Sequence, residues 1–187
     1  MKPEGLVYRA DFIDAAEERA LLAHIETLTF QEVRMHGVVA RRTVIHYGYD
    51  YDYSGWKIVP TDPIPEFLQP LVARCAEAAD VAVESLAQLM IARYPPAAAI
   101  GWHRDAPMFG TPVIGVSLAA PCVMRFRRGN VRDWETYAQL LEPRSLYILG
   151  GPARSQWQHA IPKTPELRYS ITLRTVRRAA RIPNDAP

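Results

Sequence analysis

The feature that most constrains the fold is the texture of the chain from Leu86 onward: short apolar segments, partly alternating, cut at close intervals by turn residues. Leu86 to Tyr94 reads as a buried strand stopped by Pro95-Pro96. Ile100 to His103, Val113 to Leu118 and Val123 to Arg127 follow as short strands. Gly129-Asn130 reads as a hairpin turn, and Tyr137 to Leu141, Ser145 to Leu149, Gln156 to His159 and Tyr169 to Val176 complete the set. About eight short strands behind a helical N-terminal part predict a mostly β protein of the double-sheet jelly-roll kind, a double-stranded β-helix.

The helical part is legible from its start signals. Asp14 with Glu17 three residues later forms a capping box that opens a helix at about Ala15. Leu21, Leu22, Ile25 and Leu28 then follow helical spacing and turn one face inward. Residues 31 to 60 lose that period and read as short strands and loops. Pro60, Pro63 and Pro65 punctuate the connection to a second helix, whose buried stripe is Phe67, Leu68, Leu71, Val72 and Cys75; Pro70 should kink it or start it afresh. The expected organisation is one domain over 1–187, with helices and a substrate lid in 1–85, the jelly-roll core in 86–178 and a tail in 179–187.

A length of 187 residues suits one domain with a single real core. With 49% hydrophobic and 22% charged residues the chain reads as globular. Its apolar runs fall well short of the roughly 18 residues that a membrane span needs, and the N-terminus has no apolar signal region. Two cysteines, Cys75 and Cys122, make neither a disulfide framework nor a zinc-ribbon pattern. A cytoplasmic, monomeric protein with no membrane partner is the expectation. The net charge of +2 does not argue for nucleic acid by itself. The clusters Arg125, Arg127, Arg128 and Arg174, Arg177, Arg178, Arg181 read either as solvated surface or as basic patches.

The chemistry concentrates in Gly-Trp-His103-Arg-Asp105 and in three residues further along the chain, His159, Arg168 and Arg174. On a strand, His-x-Asp puts both side chains on one face. His159, arriving from a distant strand, would complete two imidazoles and a carboxylate on one side of a metal. That arrangement leaves open positions opposite and is the one used by non-haem Fe(II) oxygenases. An oxygenase using a 2-oxo acid also needs a cation for the far carboxylate, and Arg168 and Arg174 stand beyond the second His. Arg suits that task better than Lys because its planar fork binds a carboxylate bidentately. Arg168, Ser170, Thr172 and Arg174 share one face of their strand, as a co-substrate slot requires.

Taken together, these residues resemble the AlkB-like 2-oxoglutarate- and Fe(II)-dependent dioxygenases over nearly the whole chain. Ala92-Arg-Tyr94, His103-Arg-Asp105, Met124-Arg-Phe-Arg-Arg128, Trp157-Gln-His159-Ala-Ile-Pro162 and Arg168-Tyr-Ser-Ile-Thr-Leu-Arg174 carry the resemblance. Its most specific element is the closing Arg-x5-Arg. The resemblance implies Fe(II) held by His103, Asp105 and His159, with 2-oxoglutarate and O2 as co-substrates. By position, Arg168 matches the residue that pairs with the far carboxylate of 2-oxoglutarate, Tyr94 offers its hydroxyl to the same group, and Arg174 matches the arginine near the metal-bound carboxylate. Two departures stand out. The family often has Asn where this chain has Ala92, so one hydrogen bond to the co-substrate is missing or comes from another group. An acidic residue near the target base in one DNA-repair member is replaced here by Pro107, so base preference does not carry over.

Upstream, Arg41-Arg-Thr-Val-Ile-His-Tyr47-Gly48 and Tyr51-Asp-Tyr53-Ser-Gly55 resemble the family's substrate lid. Arg41, Arg42, Tyr49 and Tyr51 are the substrate-binding candidates, with the tyrosines stacking a base and the arginines steering phosphate. The same tyrosines, with Tyr47, Tyr53 and Trp56, could instead cover a sheet. Asp50, Asp52 and Asp62 oppose phosphate contact there. His24, His36 and His46 read as structural or satisfied polar residues, and Trp102 and Trp157 as walls. The resemblance implies oxidative removal of alkyl groups from DNA or RNA bases. The alternatives are the same chemistry on a protein side chain or small molecule, or a catalytically silent jelly-roll binding module.

Overall fold

The computed structural model describes residues 1–35, 38–52 and 57–176. In chain order they form β1 (Leu6–Arg9), α1 (Ala15–Ile25), β2 (Gln31–Met35), β3 (Val38–Tyr47), β4 (Tyr49–Asp52), β5 (Lys57–Pro60), α2 (Gln69–Ala78), β6 (Gln88–Tyr94), β7 (Ile100–His103), β8 (Phe109–Leu118), β9 (Cys122–Asn130), β10 (Asp133–Leu141), β11 (Leu146–Leu149), α3 (Gly151–Ser155), β12 (Gln158–Ile161) and β13 (Arg168–Val176). A major sheet runs β1-β11-β8-β13-β6-β3-β2 and a minor sheet β10-β9-β12-β7, antiparallel throughout. The strands expected after Leu86 are all present, and the jelly roll is the fold.

Strand alternation divides the major sheet's side chains between two cores. Leu89 and Ile91 of β6, Ile114, Val116 and Leu118 of β8, Leu146 and Ile148 of β11, and Tyr169, Ile171 and Leu173 of β13 face the helices and pack on Leu21, Ile25, Leu71, Val72 and Cys75. The intervening residues face the minor sheet, where Ala92, Tyr94, Val113, Tyr147 and Leu149 meet Met124, Phe126 and Ile161. Apolar packing thus covers the central strands of the major sheet on their outer face. The inner face carries a polar set in its middle: Gln88, Ser117, Arg168, Ser170 and Thr172 are all buried. Buried polar groups in such number need partners, and they mark where a ligand fits.

The helix signals hold. Asp14 Oδ1 accepts from the Ala16 and Glu17 amides at 2.7 and 2.8 Å, and the Asp14 amide donates to Glu17 Oε2 at 2.9 Å. Pro70 starts α2 afresh after a 3-10 turn over Glu66–Leu68. Leu28 lies beyond the end of α1 and packs against the core from the following turn. Three expectations need correction, and one strand went unread. Gly129 and Asn130 lie inside β9; Asn130 pairs with Asp133, so Val131 and Arg132 make the turn. β1 joins β11 at an edge, although four residues carry too little pattern to read. The strand begun at Gln88 is preceded by a 3-10 turn over Val83–Ser85 that takes Leu86 out of the ladder. Finally, the strand expected from Gln156 begins only at Gln158, after α3 and its C-cap at Gln156.

Among the described residues no helix is long and apolar enough to cross a membrane. The tail and the basic residues Arg177, Arg178 and Arg181 lie outside the described residues, as does His36.

Candidate active site

Between the sheets lies a cavity of about 740 Å³, lined by His103, Asp105 and His159 at one end and by Tyr94, Ser170 and Thr172 along the inner face of the major sheet. β7 delivers His103 and leads directly to Asp105, and β12 sets His159 opposite His103 in register. The two imidazole centroids are 4.3 Å apart, and His159 Nε2 lies 3.7 Å from Asp105 Oδ2. His103 Nδ1 lies 2.8 Å from the Gly101 carbonyl, which accepts from it; the proton sits on Nδ1 and Nε2 keeps its lone pair. Burial lowers the pKa of both histidines, that of His159 to about 3, so both are neutral near pH 7.

Burial works against ionisation of Asp105, but Arg174, aided by the two histidines and Arg154, outweighs it and holds the carboxyl well below the usual range. Arg174 reaches Asp105 Oδ1 through Nε at 2.8 Å and Nη2 at 2.7 Å, and donates from Nη1 to Gln88 Oε1 at 3.0 Å. Asp105 Oδ2 is buried without a hydrogen-bond partner. A carboxylate oxygen left bare beside two neutral imidazoles fits a divalent cation of the Fe(II) type. Among the described residues no three such side chains close around one point; one carboxylate oxygen of Asp105 is engaged by Arg174 instead. The three are neighbours, on one side of the cavity.

At the other end of β13 from Arg174 stands a second buried cation, which is not itself among the cavity-lining residues. Arg168 is fully buried; Nη2 donates to the Ser117 hydroxyl at 3.0 Å, while Nε and Nη1 have no hydrogen-bond partner. Its guanidinium carbon stands 4.9 Å from the Tyr94 ring centroid, across the β13–β6 pair that aligns the two residues. A buried cation with bare N–H groups is costly unless acceptors complete it, and a carboxylate is the acceptor that best offsets its charge. Arg154 ties the segment after Asp105 in place, donating to the Ala106 and Phe109 carbonyls at 3.0 Å.

The lid expectation fares less well. Arg42 is buried and lines the cavity, but Arg41 alternates to the other face of β3 and is exposed. Most of the Arg41–Tyr47 stretch is a ladder strand beside β6, not a separate flap. Tyr49 is half-buried in β4, in a two-stranded sheet with β5, and does not line the cavity. Tyr51 stands opposite Ile58 in that sheet; its side chain lies outside the described residues, as do Tyr53 and Trp56. His46 Nδ1 lies 3.1 Å from both Gln88 Nε2 and Asp50 Oδ1, which makes it a satisfied polar residue. Trp157 packs in the core, whereas Trp102 is exposed at the cavity mouth with Arg127 stacked on it. Sequence reasoning missed Gln88, Ser117 and Tyr147, whose inward placement depends on which strands neighbour β13.

A family model described as the 2OG-Fe(II) oxygenase superfamily matches residues 8–179. The Arabidopsis thaliana alkylated DNA repair protein ALKBH8 homolog is 31% identical over 203 residues, covering 94% of this chain and 56% of that protein. The Escherichia coli alpha-ketoglutarate-dependent dioxygenase AlkB is 29% identical, covering 73% of this chain and 70% of its own length. The Xenopus tropicalis tRNA (carboxymethyluridine(34)-5-O)-methyltransferase alkbh8 is 29% identical, but only 25% of it is covered. This chain therefore spans about half and a quarter of the two ALKBH8 relatives. Among solved structures, OsALKBH1 superposes with a TM-score of 0.66 at 17% identity, over 94% of this chain and 98% of that one, and a Pseudomonas putida prolyl-4-hydroxylase with 0.65 at 14%, over 92% and 93%; both share the fold. With the family match spanning nearly the whole jelly roll, the chain belongs to the 2OG-Fe(II) oxygenase superfamily as an AlkB-like member.

Proposed function

We propose that the chain removes alkyl groups from nucleobases in DNA or RNA by oxidation, with His103, Asp105 and His159 holding Fe(II) and with Arg168, Tyr94 and Arg174 serving 2-oxoglutarate. The site assignment is carried by one observation: the bare, buried Asp105 Oδ2 beside two neutral imidazoles, in one cavity with Tyr94 and the face of β13 that carries Arg168. The substrate class is supported by relatives whose names include alkylated DNA repair and tRNA modification.

Iron with 2-oxoglutarate and O2 supplies an oxidation in which 2-oxoglutarate loses CO2 to become succinate and one oxygen atom is placed on the N-methyl carbon. The resulting hemiaminal breaks its C–N bond, releasing formaldehyde and returning the proton to the base nitrogen. The protein's part is orientation and shielding. Arg168 anchors the far carboxylate of 2-oxoglutarate, Arg174 keeps Asp105 ionised and aimed, and Met124, Leu149 and Ile161 keep the wall apolar. Arg42, buried and lining the cavity, is a cation that would meet a nucleotide phosphate. Cys75 and Cys122, free and buried in separate cores, suit a reducing compartment.

Formaldehyde release from methylated DNA and RNA oligonucleotides, with matched succinate formation, tests this function. If 2-oxoglutarate is consumed but no methylated oligonucleotide yields formaldehyde, the nucleobase reading falls while the co-substrate site stands.

A further inference from the structure

Gln88 is fully buried, yet it belongs neither to the metal set nor to the co-substrate residues. It stands directly across from Arg174 in the β13–β6 ladder, and its Oε1 accepts from Arg174 Nη1 at 3.0 Å. A guanidinium only donates, so the amide has one orientation: oxygen toward Arg174, amino group toward β3. There Nε2 meets His46 Nδ1 at 3.1 Å, a diagonal contact, because His46 pairs with Met90, two residues along β6. The amino group needs the lone pair on that nitrogen. Asp50 Oδ1 lies equally 3.1 Å from Nδ1 and would take it only if it carried a proton. Burial lowers the His46 pKa, against the pull of Asp50 and with Arg174 and Arg42 adding to the lowering, so the ring is neutral near pH 7 and able to accept. Gly48, where β3 turns off into β4, has a φ of +76°, and a Cβ there would collide with the Ala87 carbonyl oxygen. That close approach pins the end of β3 against the residue before Gln88.

We propose that Gln88 is a positioning residue for the metal centre: held by His46, it fixes Arg174 so that the guanidinium engages Asp105 Oδ1 alone and leaves Oδ2 to a divalent cation. This rests on the reading of Asp105 as a metal ligand. Nε and Nη2 share one edge of the guanidinium, and such an edge matches both oxygens of a carboxylate in two parallel bonds. In that pose Oδ2 would be covered. Here both nitrogens converge on Oδ1, at 2.8 and 2.7 Å, and Oδ2 is left bare. The Phe109 ring, 5.0 Å from the guanidinium carbon, covers one face of Arg174, so the movement left to the group is a slide within its own plane. Gln88 holds Nη1 and opposes that slide. His46 in turn keeps the amide from turning its amino group toward a cation.

The test is calorimetric binding of Mn(II) to the metal-free full chain without co-substrate, with thermal unfolding of each variant read alongside. Gln88→Met keeps the length of the side chain and loses both hydrogen bonds. It should weaken Mn(II) binding about five-fold, as expected for one hydrogen bond to a charged group acting at one remove. Gln88→Glu keeps an oxygen for Nη1 and should restore most of the affinity. In an Arg174→Ala background Gln88→Met should cost nothing further, because the amide acts only through the arginine. Unchanged Mn(II) affinity in Gln88→Met overturns the assignment, even if that variant melts lower, since a purely structural role would move the melting temperature alone. An equal loss in Gln88→Met and Gln88→Glu, or in both Arg174 backgrounds, overturns it too. Asp105→Ala separates the two claims. If it abolishes Mn(II) binding while Gln88→Met changes nothing, the ligand stands and the positioning role falls; if it binds Mn(II) as tightly as the native chain, the ligand reading falls and takes the positioning role with it.

Discussion

Arg174 and Asp105 form a buried ion pair in which both Nε and Nη2 converge on one oxygen, Oδ1, at 2.8 and 2.7 Å, and leave Oδ2 bare beside His159. The guanidinium therefore does two things to the carboxylate. It lowers the cost of keeping the charge in a buried site, and it fixes which oxygen remains for a cation. β13 and the segment after β7 are far apart in sequence; the strand order of the two sheets brings them together.

Replacing Arg174 should therefore cost metal affinity as well as co-substrate affinity. Arg174→Ala leaves Asp105 buried without its main counter-charge, a change that costs about 3–5 kcal/mol where a buried pair loses one member. Mn(II) titration of the variant without 2-oxoglutarate should show binding weakened at least ten-fold. Unchanged Mn(II) affinity would mean that the pair is not what holds the ligand.

Stability of the metal-free protein should fall as the solution is acidified. The His159 pKa is depressed to about 3 by burial, and that of His103 is also lowered, so below an unfolded value near 6.5 the unfolded chain binds protons that the folded chain does not. Their contribution is whole above that value and lost as the pH falls toward the folded pKa. Asp105, also depressed, adds a loss in the same direction below the ordinary carboxylate range. Each group contributes at most about 1.4 kcal/mol per pH unit. Urea unfolding in chelator at pH 7 and pH 5 measures the slope, and His159→Gln should flatten it. An equal slope in that variant would put the titration elsewhere.

Gly115 should tolerate no side chain while Tyr147 is present. Gly115→Ala places a methyl inside the tyrosine ring, and overpacking of this kind costs about 1–3 kcal/mol. Adding Tyr147→Ala should recover part of that loss, because the two residues share one contact and their effects are not additive. Thermal unfolding of the single and double variants reads the coupling; strict additivity would show that the ring moves aside freely.

The two neighbouring arginines of β3 should part company in a turnover assay. Arg42 is buried at the cavity and Arg41 is exposed on the opposite face. Arg42→Ala should reduce formaldehyde release from a methylated oligonucleotide several-fold and leave uncoupled 2-oxoglutarate consumption in place, whereas Arg41→Ala should do little, as isolated surface charges generally do. Equal losses from both variants would argue for diffuse electrostatic attraction, and strong salt dependence would accompany it.

The local periods of the sequence determined a good deal. The Asp14–Glu17 box, the restart at Pro70, and the period-two runs of β6, β8 and β13 are all decided by contacts within a few residues, so they could be read directly. His-x-Asp and Arg-x5-Arg were legible for the same reason: alternation puts each pair on one strand face whatever the neighbours are. Tertiary structure alone decided which strands lie side by side. Only the order β11-β8-β13-β6 sets Tyr147 over Gly115 and brings Arg174 to Asp105 and Gln88. The same ladder put Arg42 inside and Arg41 outside, because pairing with β6 fixed the face of β3 and a one-residue step reverses it. Alternation is a local property of the backbone, whereas strand order depends on how two cores pack against one sheet, and no short window of residues contains that information.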